Sequence, residues 1–317
     1  MSSAEDSLKR AEELLDGWSR RASAWRRPMT RTRRSTSSPS SQTSPSRSRP
    51  SSSRPVATPV SSLEAHRERV EAFLADLPFA EELGRLTDAM RYSLEGGGKR
   101  IRPLLCLASG EAMGAEPEKL LPAATAIELV HTFGMVHDDL PALDDDDLRR
   151  GRATSHVQFD EATAILNGDA LLSQAFELAL SYPGPEVARE LSRAAVGMIG
   201  GQYDDIQGAD GDLARRHSLK TGRLFEAAVG CAIAVAVLPD GEQEPWRAFA
   251  ADFGLLYQVV DDVLDGDGLA AELGREGASD LADEIESRAR DRLEQIEADT
   301  TLLDELLSGL KRRAAAS

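Results

Sequence analysis

The sequence predicts an all-α bundle. Three observations carry that expectation: from Ser61 onward long stretches place apolar residues at helical spacing, few stretches compete as strands, and Pro and Gly punctuate the joins. The first two helices, Leu63 to Leu77 and Ala80 to Leu94, are parted from a third, Ile101 to Met113, by Gly96-Gly97-Gly98. A fourth, Pro117 to Val136, runs into an acidic cluster in which Pro141 breaks helical hydrogen bonding. Ala162 to Tyr182 and Pro185 to Gly200 join at Pro183-Gly184-Pro185, and Leu213 to Leu238 and Pro245 to Leu264 join at Leu238-Pro239-Asp240-Gly241. In such a bundle, sites form from side chains that project inward from facing helices.

Composition sets the frame. A chain of 317 residues, 41% hydrophobic, can bury a large core without disulfides or metal staples. Cys106 and Cys231 lie in apolar stretches without metal-ligand spacing, which reads as reduced core thiols in a reducing, cytoplasmic setting. The longest apolar run, Ala227 to Leu238, is shorter than the roughly 20 residues a bilayer span needs, and no N-terminal segment has the order of a secretory signal.

Charge is divided unevenly. Gly17 to Leu63 holds ten arginines and no acidic residue, so a whole-chain charge of −17 leaves −27 on the remainder. That sign disfavours nucleic-acid binding by the main body. The expected organisation is a disordered Arg/Ser/Pro-rich extension over residues 1–60 and one domain over 61–317. The extension reads as a linker or upstream stretch without a role; a transit peptide or an anion-binding arm are the functional alternatives, the first opposed by the acidic, helix-like start from Ser3 to Asp16.

Two acidic clusters carry the chemistry: His137-Asp138-Asp139-Leu140-Pro141-Ala142-Leu143-Asp144-Asp145-Asp146-Asp147 and Asp261-Asp262-Val263-Leu264-Asp265. Both lie within apolar sequence, where unpaired carboxylates are costly to desolvate, so they ask for cations. Hard divalent ions such as Mg²⁺ take oxygen ligands and are commonly shared between one or two carboxylates and substrate phosphates, which points to a diphosphate held between two carboxylate walls. Asp261 and Asp265 lie on one helical face with Asp262 beside them, while Asp138 and Asp144 can converge through a turn at Pro141. Cations complete the set: Gly96-Gly97-Gly98-Lys99-Arg100-Ile101-Arg102 forms a phosphate cradle at a helix entry, Arg149-Arg150-Gly151 follows the first cluster, and Lys220-Thr221-Gly222 adds a cation and a hydroxyl.

These phrases, in this order, resemble the trans-type isoprenyl diphosphate synthases, the polyprenyl synthetases, over roughly Ser61 to Asp280. Asn167-Gly168-Asp169, Gly200-Gly201-Gln202-Tyr203-Asp204-Asp205 and Tyr257-Gln258 also match. The resemblance implies a single large helical bundle of the isoprenoid synthase type with a central apolar cavity, a homodimer, and the joining of isopentenyl diphosphate to an allylic diphosphate. Asp138, Asp144 and Asp261, helped by Asp139, Asp262 and Asp265, would bind Mg²⁺, three ions per site once substrate is bound. Arg149 would contact the allylic diphosphate, with Lys220, Thr221 and Gln258 stabilising that side. Lys99, Arg102, His131 and Arg150 would hold isopentenyl diphosphate, and His137 is a candidate to orient a metal ligand. The chain departs from the family after Asp280, where Leu281-Ala282-Asp283-Glu284 replaces a usual Gly-Lys pair and Arg275 is the nearby candidate charge.

Product length is expected to follow from Phe133 and Gly134, about 6 to 7.5 Å below Asp138 along a helix. An aromatic ring there resembles the floor of bacterial farnesyl diphosphate synthases and favours a fifteen-carbon product, with geranylgeranyl diphosphate as the alternative. Two other classes are weighed. A terpene cyclase would not need Lys99, Arg102 and His131, and a noncatalytic subunit would be expected to have lost its aspartates.

Overall fold

The computed structural model describes residues 62–207 and 218–315. The segment expected to be disordered and the expected helix start at Leu213 lie outside those residues. The described chain is almost wholly helical: α1 (Leu63–Ala75), α2 (Leu86–Leu94), α3 (Ile101–Ala112), α4 (Pro117–Asp138), the short α5 (Ser155–Gln158), α6 (Glu161–Leu180), α7 (Glu186–Ile206), α8 (Arg223–Ala236), α9 (Gln243–Asp265), α10 (Gly268–Glu294) and α11 (Thr301–Ala315). Strands β1 (Leu148–Arg149) and β2 (Arg152–Ala153) pair antiparallel in a small hairpin after the first acidic cluster. Among the described residues no helix is long and apolar enough to cross a membrane.

The expected helices are present, with shifted ends. The second is broken at Gly84, which takes φ +50°, so only Leu86–Leu94 is regular α-helix, after a 3-10 turn at Glu81–Leu83. Where one helix is expected over Leu213 to Leu238, the described part is a π turn (Ser218–Gly222) followed by α8. Helix α8 ends at Val237, a β-branched residue held at φ +55°. The structure adds α10 and α11 after Leu264, where charged residues are frequent but Leu281, Ile285, Ala289 and Leu293 still fall on one buried face.

Helix ends follow ordinary capping chemistry. Ser62 Oγ accepts the Ala65 N–H at 3.1 Å and an Asp160 carboxylate oxygen accepts that of Thr163 at 2.8 Å. Helix α4 carries Pro122 in its interior, and the Tyr182 hydroxyl sits across the ladder beside it: it accepts from the Ala123 N–H and donates to the Lys119 carbonyl. Helix α4 packs along α6 and α8 packs along α7 and α3. One apolar core runs through these helices, α9 and the inner faces of α10 and α11.

Candidate active site

The first acidic cluster sits where α4 ends. The chain turns through Pro141, and the Asp144 N–H returns to the Asp138 carbonyl at 2.9 Å, so the two aspartates are joined through the backbone. Burial pushes the Asp138 carboxyl up to about 6, with Asp144 and Asp139 adding to the rise and Lys220 and Arg149 opposing it. Asp144 is exposed. Asp139 is buried and ion-paired: Arg149 Nε donates to its carboxylate at 2.6 Å, and Arg149 also reaches Asp146.

The second cluster closes α9. Asp261 is desolvated, which raises its carboxyl, and it accepts from Arg313 of α11 at 2.9 Å. Asp265, at the helix end, is exposed and close enough to raise Asp261 further. Asp262 turns elsewhere. It is buried, with one oxygen accepting from Gln258 Nε2 at 2.7 Å and the other from the Leu269 N–H at 2.8 Å, so it caps the start of α10. Its carboxyl is pushed up to about 6 by burial despite both donors.

Four of the expected cations and polar groups meet in one place. Lys99, Arg102, His131 and Arg150 line a cavity of about 390 Å³ together with Tyr257 and Arg313. The Arg102 guanidinium lies over Phe225 at 4.5 Å and Tyr257 at 5.6 Å, and it is 3.3 Å from His131 Nε2. Arginine is always the donor, so His131 Nε2 is the acceptor and the imidazole is neutral. Desolvation and the neighbouring arginines hold its pKa well below the usual value. Arg102 Nε and Arg313 Nη1 are buried donors without a protein partner, as an anion site requires. Arg100, between Lys99 and Arg102, is not available: it is buried against Glu71, Glu128 and the Leu94 carbonyl.

Gly98, at φ +145°, makes room for this cluster. A Cβ there would lie 2.7 Å from Arg150 Nη1, and Arg150 itself donates to the Gly97 carbonyl. Arg100 and Arg150, which line the cavity, and Asp145 of the first acidic cluster are non-glycine residues that hold φ between +50° and +55°.

Lys220 lies in the π turn and donates to Asp205 of α7 at 3.1 Å, while also lowering the Asp138 carboxyl. It approaches α7 at Gly201, where a Cβ would stand 2.5 Å from the Lys220 nitrogen. Thr221 is half-buried beside it, and Gln258 is engaged by Asp262. His137 bonds across to α6, its Nε2 donating to the Ile165 carbonyl at 3.0 Å. Phe133 is buried with its ring edge-on to His137. Arg275 lines a cleft with Val263, Asp280 and Lys311, and Arg313 is the cation bonded to Asp261.

Among the described residues no three His, Cys, Asp or Glu side chains gather closely enough to cage a metal ion by themselves. The donor set is nonetheless that of Mg²⁺: oxygen ligands only, with Asp138 at the end of α4 and Asp261 near the end of α9 both desolvated. Such an ion would be completed by substrate oxygens and water, with Asp139 and Asp262 already committed to protein donors.

A profile of the polyprenyl synthetases matches residues 84–308. A farnesyl diphosphate synthase of Micrococcus luteus is 41% identical over 209 residues, 62% of this chain and 72% of that protein. The large subunit 1 of a chloroplastic heterodimeric geranylgeranyl pyrophosphate synthase of Arabidopsis thaliana is 42% identical over 224 residues, 65% of this chain and 60% of that protein. The fold is similar to that of a geranyltransferase of Legionella pneumophila, with TM-score 0.73 and 30% identity over 80% of this chain and 96% of that one. A Zymomonas mobilis FPP/GFPP synthase gives TM-score 0.72 and 32% identity over 77% of this chain and 95% of that one.

Proposed function

The chain belongs to the polyprenyl synthetase family, a family of trans-prenyltransferases, and we propose that this member condenses an allylic diphosphate with isopentenyl diphosphate to give farnesyl diphosphate. The observation that carries the reading is the cavity lined by Lys99, Arg102, His131, Arg150 and Arg313, distinct from the Asp138–Lys220–Arg149 cluster. Two cationic sites suit two diphosphates, whereas a terpene cyclase needs one.

In this reading Arg149 and Lys220 orient the allylic diphosphate at the end of α4. Asp138, Asp144, Asp261 and Asp265 would hold Mg²⁺, which when bound would supply Lewis-acid neutralisation of the charge that grows on the leaving group. Lys99, Arg102, Arg150 and Arg313 hold the second diphosphate so that its double bond faces the ionising carbon, and the neutral His131 keeps Arg102 in place while offering Nδ1–H as a donor. The proton lost in the elimination goes to the departing diphosphate. Phe133 and Gly134 lie below the site, and a bulky ring at Phe133 favours the fifteen-carbon product; relatives named for the twenty-carbon product make geranylgeranyl diphosphate the second reading.

Helix α7 leaves Val196, Ile199, Tyr203 and Ile206 exposed along one face, which supports a homodimer. Reduced, buried Cys106 and Cys231 suit the cytoplasm. The test is product chromatography with labelled isopentenyl diphosphate, geranyl diphosphate and Mg²⁺, each substrate also being incubated alone. Elongation should need both substrates, and Asp138→Ala and Asp261→Ala should each lower turnover by about a hundredfold or more. Turnover of the allylic substrate alone to a hydrocarbon would favour the cyclase.

A further inference from the structure

The acidic motif and the residues that could limit chain growth share one helix, so their order around it matters. At 3.6 residues per turn, Gly134 lies within about 40° of Asp138 on the surface of α4, while Phe133 is about 140° away. The Phe133 ring accordingly turns toward His137, which bonds to α6. What stands over the face directly below Asp138 is a different side chain. A Cβ built on Gly134 would lie 2.8 Å from Met198 Cε and 3.5 Å from its sulfur.

Met198 belongs to α7, on the same face as Asp205, which holds Lys220 beside Asp138. Seven residues separate them, so Met198 lies about 10 Å below that polar mouth, at the level of Gly134. Helices α4 and α7 pack mainly on other partners, α4 along α6 and α7 along α8. The Met198 thioether therefore bridges the gap between them where the absent side chain of Gly134 leaves room.

We propose that Met198 is a product-length determinant, standing across Gly134 beneath the metal-binding end of α4, where the growing chain would extend. This rests on the prenyltransferase reading and deepens it. An unbranched thioether fills an irregular gap with a movable end, so it stops a growing chain less sharply than a ring would and admits a minor longer product.

The experiment compares wild type with Met198→Ala and with Met198→Leu, a volume-conserving exchange that withdraws the terminal methyl and keeps the core filled. The readout is the ratio of twenty-carbon to fifteen-carbon product, which is independent of overall rate. A second readout needs no turnover: the relative affinity, by calorimetry with Mg²⁺, for the S-thiolodiphosphate analogues of geranylgeranyl and geranyl diphosphate. Both ratios should rise by about tenfold or more in Met198→Ala, the discrimination that small changes of pocket volume give, and by less in Met198→Leu. Gly134→Ala, whose new methyl collides with Met198, should shift both ratios the other way. Unchanged ratios in folded Met198→Leu and Gly134→Ala overturn the proposal. A wild type that binds neither analogue and elongates no starter overturns the prenyltransferase reading and this inference with it, whereas an active wild type with unmoved variants overturns this inference alone.

Discussion

Replacing Asp262 separates a metal ligand from a structural staple. In the structure both of its oxygens are used, by Gln258 Nε2 and by the Leu269 N–H at the start of α10, and it is only 3% exposed. Its carboxyl is nevertheless raised from 3.8 to about 6. A rise of about two pH units disfavours the charged form by about 3 kcal/mol at neutral pH and above. Asn removes that charge and keeps an oxygen for the Leu269 N–H, and a turned Gln258 amide can still bond to it. Asp262→Asn should therefore be as stable as wild type at pH 8 or more so. Asp262→Ala leaves a buried N–H without a partner and should fall below Asp262→Asn by about 2 to 4 kcal/mol. Urea unfolding of the metal-free protein followed by circular dichroism measures both. The same variants are then titrated with Mg²⁺ in the condensation assay, where Asp262→Asn should keep the wild-type half-saturating concentration and Asp261→Asn should raise it by about tenfold or more. A stable Asp262→Asn protein whose Mg²⁺ requirement rises as far as that of Asp261→Asn would refute the reasoning and return Asp262 to the metal site.

Three more outcomes are expected. Phe133→Ala should cost about 3 to 5 kcal/mol in stability, the range for a buried Phe, and lengthen the product distribution less than Met198→Ala does, since its ring turns toward His137; an equal or larger lengthening would put the floor at Phe133. Arg313→Ala should raise the KM for isopentenyl diphosphate by about tenfold and lower the Mg²⁺ requirement, since it removes a cavity cation that also competes at Asp261; steady-state kinetics with no change in either would leave α11 a packing role only. Asp138 and Asp262 both titrate near 6 in the folded chain, above the unfolded 3.8, so their contribution to stability is full below about pH 4 and is lost as the pH rises through about 6. Melting of the metal-free protein should accordingly weaken between pH 4 and 7, and less so in Asp262→Asn.

Much of the fold is legible because Pro and Gly mark the helix joins and the apolar faces are continuous, as from Pro117 into the first acidic cluster. The break at Gly84 and the π turn before α8 are harder to read, since both depend on local geometry within an otherwise helical pattern. Helix α10 is harder to read because charged residues are frequent in it, and only the four-residue spacing of Leu281, Ile285, Ala289 and Leu293 announces it; α11 is announced by Leu303, Leu306, Leu307 and Leu310, which fall on one buried face. At the site, Lys99, Arg102, His131 and Arg150, which the motifs assign to one substrate, line one cavity. The motifs cannot tell Asp261 from Asp262, adjacent in sequence but with contacts to different elements. Nor do they single out Arg313, one cation in a run of three near the end of α11, or Met198, an apolar residue whose importance comes from a glycine on another helix.

The left-handed residues bear on how this chain would respond to selection for heat resistance. Of the four non-glycine residues with positive φ among those described, Arg150 and the buried Arg100 line the cationic cavity, Asp145 lies in the first acidic cluster, and Val237 ends α8. Glycine at Asp145, Arg150 or Val237 would relieve backbone strain of about 1 kcal/mol or more, whereas at Arg100 it would strand the buried Glu128 and cost more than it relieves. A population screened only for survival at high temperature would thus change Asp145, Arg150 and Val237 while keeping Arg100, whereas one screened for product as well would retain Asp145 and Arg150 and change Val237 first. The positions at which the two populations diverge would chart, residue by residue, the stability this protein forgoes to keep its catalytic rim in shape.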